Sequence, residues 1–210
     1  MRYSLQQQPD LLDHPLYFVE DVCNSNSCVE ELEFSYYVYT PRSVEDERRV
    51  RKVSATDLRS AYRYLKKELG QNEEIAFHSR VHMKSGDVRH LPILDLSGEF
   101  TRERIEKIIG LANHVFSGLD LGDLAIFESG RSCHVYGSRI LSQDEWYELL
   151  GRSLLANLPN EKDVVDQRWV GHRLMAGYGT LRWTCNTDQY LQEPTESYRL
   201  VPAESGLQKA

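Results

Sequence analysis

The chain has 210 residues, 40% of them apolar and 27% charged, with twelve tyrosines and three tryptophans. That balance excludes a disordered or low-complexity chain and allows one generous domain with a sizeable core. A net charge of −7 excludes a protein whose whole surface holds nucleic acid through its phosphates, so any such contact is local.

Residues 1–30 read as an irregular segment with a loop at "CNSNSC", and "FSYYVYT" (34–40) as a strand ended by Pro41. "TDLRSAYRYLKKELG" (56–70) places Leu58, Ala61, Tyr62, Leu65 and Leu69 at helical spacing, with Thr56 as N-cap and Gly70 as stop. "IAFHSRVHM" (75–83) and "RHLPILDLS" (89–97) read as a hairpin turning at Ser85-Gly86-Asp87, the second strand apolar on both faces. A helix over 101–118 capped by Thr101 follows, then a strand at 123–129 expected to form a hairpin with the strand within "ESGRSCHVYGSRI" (128–140). A helix over 142–157 carries a capping box of Ser142 and Glu145. From about Gln192 the tail is polar, proline-bearing and expected to be loosely held. Mixed strands, hairpins and helices predict an α+β fold, with the three helices covering one face of a sheet.

The compartment and the metal question are read from the same residues. No apolar run reaches the roughly eighteen residues needed to cross a bilayer, and the N-terminus lacks a signal peptide's apolar region, so the cytoplasm is expected. Cys23, Cys28, Cys133 and Cys185 fit no zinc spacing and are expected as free thiols. His78 and His82 share a strand face with no nearby Cys or acid to complete a ligand set, which predicts ordinary half-buried histidines.

Three polar features stand apart. Asp95 ends a buried strand, where a carboxylate needs a metal, a cation or hydrogen-bond donors, unless it caps the next turn. "ESGRSCHVYGSRI" (128–140) alternates, with Ser132, His134 and Tyr136 on one face and Cys133 and Val135 on the other. That pattern suits an anion such as phosphate, and equally a half-buried strand wetted on one side. Residues 167–187 carry Arg168, Arg173 and Arg182 and no acid, amid Gly, Trp and Tyr. A second basic run, 42–67, has nine Arg or Lys against four Asp or Glu and reads as a solvated helix with its lead-in.

The order of Asp95, "SGRSCHVYG" and "VDQRWVGHRLMAGYGTLRW" resembles the archaeo-eukaryotic primase superfamily over about residues 75–187. The resemblance implies an RRM-like antiparallel or mixed sheet with helices on one face, plus a small N-terminal α/β portion, within a domain over 31–190 and followed by a tail over 191–210. It implies Asp95 and Asp166 as catalytic carboxylates holding Mg²⁺ or Mn²⁺, and Arg131, Ser132, His134, Arg173 and Arg182 as nucleotide-binding residues. It further implies that Asp95, His134 and Asp166 converge on one concave face. The partners implied are nucleoside triphosphates, single-stranded or primer-template nucleic acid, and a helicase or other replication or defence protein, with no membrane. One position departs from the family's pattern: where a second aspartate is expected, this chain has Ser97, which leaves Glu99 as the substitute ligand. Two functions stay open: a primase-like nucleotidyltransferase, and a catalytically inactive domain that binds nucleotide or nucleic acid and acts through partners.

Overall fold

The computed structural model describes residues 2–6, 14–44, 46–98 and 101–202. Their order is β1 (Tyr3–Gln6), α1 (Pro15–Ser25), β2 (Val29–Tyr37), β3 (Arg49–Ser54), α2 (Leu58–Lys67), β4 (Glu74–Met83), β5 (Val88–His90), β6 (Ile93–Ser97), α3 (Arg102–Val115), β7 (Leu124–Glu128), β8 (Ser132–Gly137), α4 (Gln143–Leu154), α5 (Gln167–Ala176), β9 (Thr180–Arg182) and β10 (Thr195–Pro202).

The fold is α+β, and its strands form two antiparallel sheets. Sheet A runs β1-β10-β7-β8-β6; sheet B runs β3-β2-β4-β5, with β9 also paired to β4. The stretch expected as one strand over 89–97 divides at Pro92, which has no amide to give a ladder. Before it, β5 closes the expected hairpin with β4; after it, β6 joins sheet A beside β8. This crossing ties the two sheets together at the residues that carry Asp95.

Alternation along the strands sorts two cores. On sheet A, Leu94, Leu96, Ile126, Cys133 and Val135 face α3 and α4, where Ile105, Ile108, Trp146 and Leu150 complete the packing. The opposite face presents Ile93, Ala125, Phe127 and Tyr136 to a second core shared with β2, β4, α1 and α2. Trp183 is its hub, stacked on Phe77 at 5.0 Å and donating its indole N–H to Tyr136 Oη at 2.9 Å. Thus α3 and α4 cover one face as expected, while α2 packs in the core between the sheets.

Several local expectations hold and others shift. The Ser142–Glu145 capping box and the Thr101 cap are both formed. Thr56 does not cap α2; Ser54 caps a 3₁₀ turn at Ala55–Asp57, and the α-helix starts at Leu58. The first thirty residues, expected to be irregular, contribute β1 and α1, and α1 buries Phe18, Val19 and Val22. The tail is not loose over 195–202, because β10 lies between β1 and β7 with Leu200 fully buried. All four cysteines are free thiols. Among the described residues no helix is long and apolar enough to cross a membrane.

His78 and His82 do have an acid beside them. Strand pairing brings Glu33 of β2 between them, 3.1 Å from His78 Nδ1 and 2.7 Å from His82 Nε2. Burial pushes Glu33 up, but the hydrogen bonds of His78 and His82 outweigh it and hold the carboxyl at about 2. Burial lowers His78 to about 4, so it is neutral: Nδ1–H donates to Glu33, and Nε2 accepts the Ser35 hydroxyl at 2.8 Å. This is a satisfied polar network, and among the described residues no group of three or more His, Cys, Asp or Glu could hold a metal.

Candidate active site

A cleft of about 1110 Å³ opens where the two sheets meet, lined by β6, β8, β9, α5 and the connection between β2 and β3. Its floor is set by strand register. In the β6–β8 ladder Asp95 lies directly opposite His134, and Ser97 opposite Ser132. On the other side of β6 the chain before α5 runs antiparallel: Leu96 bridges Val165, Ser97 N–H donates to Val164 O at 2.9 Å, and Asp166 N–H to Asp95 O at 3.2 Å. Asn157 fixes that segment, accepting the amides of Val164 and Val165 at 2.8 and 2.9 Å. His134, Asp95 and Asp166 therefore form a row across three adjacent chain segments, and directly opposed residues share a face.

The carboxylates differ in what they already hold. Asp166 caps α5, one oxygen accepting the Trp169 amide at 2.9 Å. Asp95 caps nothing, and its buried Oδ1 has no hydrogen-bond partner among the described residues. Burial and the neighbouring Asp166 push Asp95 up to about 7, against the opposing pull of the Ser132 hydroxyl and the charges of Arg182 and Arg173. Glu74 shows the contrast: fully buried where Asp95 is half-buried, it accepts from Thr184, the Asn186 amide, and the Thr187 amide and hydroxyl. The fold can saturate a buried carboxylate, and at Asp95 it does not.

His134 is 4% exposed, and its Nδ1 also lacks a partner. Burial, with Arg182 nearby, holds it well below the ordinary histidine range, so its ring is neutral. The hairpin before it closes tightly. Ser129 N–H donates to Ser132 O at 3.0 Å, and Gly130 between them has φ +99°, a left-handed backbone that favours glycine. Arg131 is exposed at the cleft's rim.

Arginines converge from α5 and β9. Arg173, 3% exposed, donates to the Thr180 hydroxyl and to Asp46, while its Nε is unpartnered among the described residues. Arg182 is spent differently. It donates to the carbonyl oxygens of Thr184, of Gln192 at 3.0 Å and of Ser129 at 2.9 Å, and lies over the Tyr190 ring at 4.1 Å. It lines the cleft, but its donors hold the Ser129 turn and the 184–192 loop in place.

A model of the family described as archaeo-eukaryotic primase 1D-like matches residues 54–195, from the end of β3 to the start of β10. The chain belongs to the archaeo-eukaryotic primase superfamily. No curated protein matches it. Asp95, Arg131, Ser132, His134, Asp166, Arg173 and Arg182, the residues the primase resemblance singled out, all line the one cleft. Glu99 lies outside the described residues.

For a primase-superfamily domain the donor set bears on metal. Two adjacent carboxylates, one with an unpartnered buried oxygen, fit a single divalent cation that completes its shell with phosphate oxygens and water, as Mg²⁺ commonly does. Ser97, on Asp95's face, offers a hydroxyl where a third carboxylate would stand, so the described residues supply no closed protein cage. Asp46 and Arg48 are among the cleft residues that the sequence does not single out. Their signal was present in the acid-basic run "EDERR", but assigning that run to a helix lead-in concealed it.

Proposed function

We propose that the cleft binds a nucleoside triphosphate with one divalent cation and transfers the nucleotidyl group in template-directed nucleic-acid synthesis. The observation that carries this reading is Asp95: a half-buried carboxylate whose buried Oδ1 has no hydrogen-bond partner among the described residues, in a row with Asp166 and His134. Such a group is costly in isolation and becomes favourable when a cation arrives. Membership of the primase superfamily supplies the substrate class.

In this reading Asp95 and Asp166 hold the cation, and Asp95 gives up its proton as it does so. The neutral His134 offers Nδ1 to a phosphate oxygen, Ser132 adds a hydroxyl, and Arg173 adds a guanidinium whose Nε is unspent. Arg131, at the rim, meets the outer part of the triphosphate or the strand. The bound cation supplies charge neutralisation and lowers the pKa of the attacking hydroxyl.

Ser97 favours a second reading, binding without turnover, because a hydroxyl is a weaker ligand than a carboxylate and among the described residues no third acid joins the pair. Primer synthesis and extension on a single-stranded template, with Mg²⁺ and with Mn²⁺, separate the two. Product that disappears in Asp166→Asn supports catalysis. Tight triphosphate binding without product supports the second reading.

A further inference from the structure

The segment between β2 and β3 reaches from sheet B to α5 along the wall of the cleft. Thr40 to Ser43 make a β-turn closed by Ser43 N–H to Thr40 O at 3.3 Å, with Pro41 second and Arg42 third at φ +65°, the type II arrangement. Arg168 of α5 donates to the Ser43 carbonyl. Beyond it, Asp46 lies between two guanidiniums. Arg48 Nε donates to one of its oxygens at 2.8 Å, and Arg173 donates to the other.

The two cations are fixtures, and the anion is the exposed member. The side chains of Arg48 and Arg173 are 9% and 4% exposed, against 25% for Asp46. Arg48 is anchored to β2 through the Ser35 hydroxyl at 3.2 Å and the Tyr37 ring at 4.4 Å, and Arg173 is anchored through Thr180. Two nearly buried positive charges share one carboxylate, and the unpartnered Arg173 Nε is unspent beside them. Burial raises Asp46, but Arg48 and Arg173 more than offset it and keep the group ionised. A phosphate group, like a carboxylate, offers two oxygens to arginine's planar fork and carries more negative charge, so it competes for this position on favourable terms.

We propose that Arg48 and Arg173 form an anion site for a phosphate group of the bound nucleotide, and that Asp46 occupies it as an internal substitute until phosphate displaces it. The proposal rests on reading the cleft as a nucleoside triphosphate site, and it adds a competing residue to that site. Asp46 and Arg48 precede the part of the chain that the family model matches, and Arg173 lies within it.

The test is calorimetric titration with inorganic tripolyphosphate, without divalent cation, of the wild type, Asp46→Asn and the double variant Asp46→Asn/Arg48→Ala. Asp46→Asn is expected to bind about tenfold more tightly than wild type, and the double variant to lose that gain. Hydrogen exchange on the wild type provides a readout independent of any variant's folding: tripolyphosphate should speed exchange in residues 41–48. Equal or weaker binding by folded Asp46→Asn, or unchanged exchange in that segment, overturns the proposal. If wild type still binds nucleoside triphosphate with Mn²⁺ in that case, only the substitute role of Asp46 falls. If neither protein binds triphosphate with or without Mn²⁺, the nucleotide reading falls with it.

Discussion

Asp95 and His134 lie directly opposite one another on β6 and β8, and each carries a buried side-chain atom with no hydrogen-bond partner among the described residues. Buried polar atoms are normally paired, and two orphans side by side on the wall of an open cleft support the proposed ligand site. The same pair sets the first predictions.

Asp95 should make the empty protein less stable as pH rises. Its carboxyl titrates near 7 when folded, well above the ordinary aspartate value. Between about pH 4 and 7 the folded state therefore keeps a proton that the unfolded chain has released, and stability falls with pH through that window. Asp95→Asn removes the effect. Thermal melts should show it more stable than wild type at pH 8 by about 1–2 kcal/mol, and equal to wild type near pH 4. A variant less stable than wild type at pH 8 would show that the ionised carboxylate is already satisfied.

His134→Ala should weaken nucleoside triphosphate binding by about 1–3 kcal/mol, the range for a hydrogen bond to a charged group. The melting temperature should change little, because the unpartnered Nδ1 contributes no bond to the unliganded fold. Calorimetry and melts on one preparation check both halves. A large fall in melting temperature with unchanged affinity would make His134 a packing residue.

Arg182→Ala should behave in the opposite way. Its guanidinium bonds three carbonyl oxygens from separate parts of the chain, so its removal leaves buried acceptors unpaired. We expect a loss of about 2–3 kcal/mol, with a melting temperature lower by roughly 4–12 °C. Lysine should rescue little, because a point charge cannot reproduce the fork. An unchanged melting temperature would return Arg182 to the role of direct phosphate ligand.

Ser97→Asp tests the altered metal site. Residues 95 and 97 share a face of β6, so the new carboxylate stands beside Asp95. Without metal it should lower stability at neutral pH by adding like charge; with Mn²⁺ it should bind the ion about tenfold more tightly and increase primer extension. A folded variant with unchanged Mn²⁺ affinity would show that the cation lies elsewhere.

What was legible in the sequence was chiefly local. The Ser142–Glu145 capping box follows from residue spacing alone, as does the alternation that puts Ser132, His134 and Tyr136 on one face. The convergence of Asp95, His134 and Asp166 was legible only because three weak motifs occur in a known order. The bridge that places Asp166 beside Asp95 depends on Asn157 and on pairing across about seventy residues. β10 was missed because "TESYRLVP" has little strand character of its own and is made a strand by neighbours on both sides. Glu33 was missed for a related reason: β2 begins five residues before the apolar stretch that announced it, and only the β2–β4 register brings Glu33 to His78 and His82.

The central claim is that the cleft binds a metal-bound nucleoside triphosphate through Asp95. Calorimetric titration of the wild type and Asp95→Asn with nucleoside triphosphate and Mn²⁺, at pH 6 and pH 8, tests it most directly. The account predicts Mn²⁺-dependent binding by the wild type that is stronger at pH 8, where the carboxyl near pH 7 is already ionised, with proton release at pH 6, and loss of the Mn²⁺ dependence in Asp95→Asn. Absence of binding by the wild type at both pH values, or Mn²⁺-dependent binding that Asp95→Asn leaves intact, would contradict it.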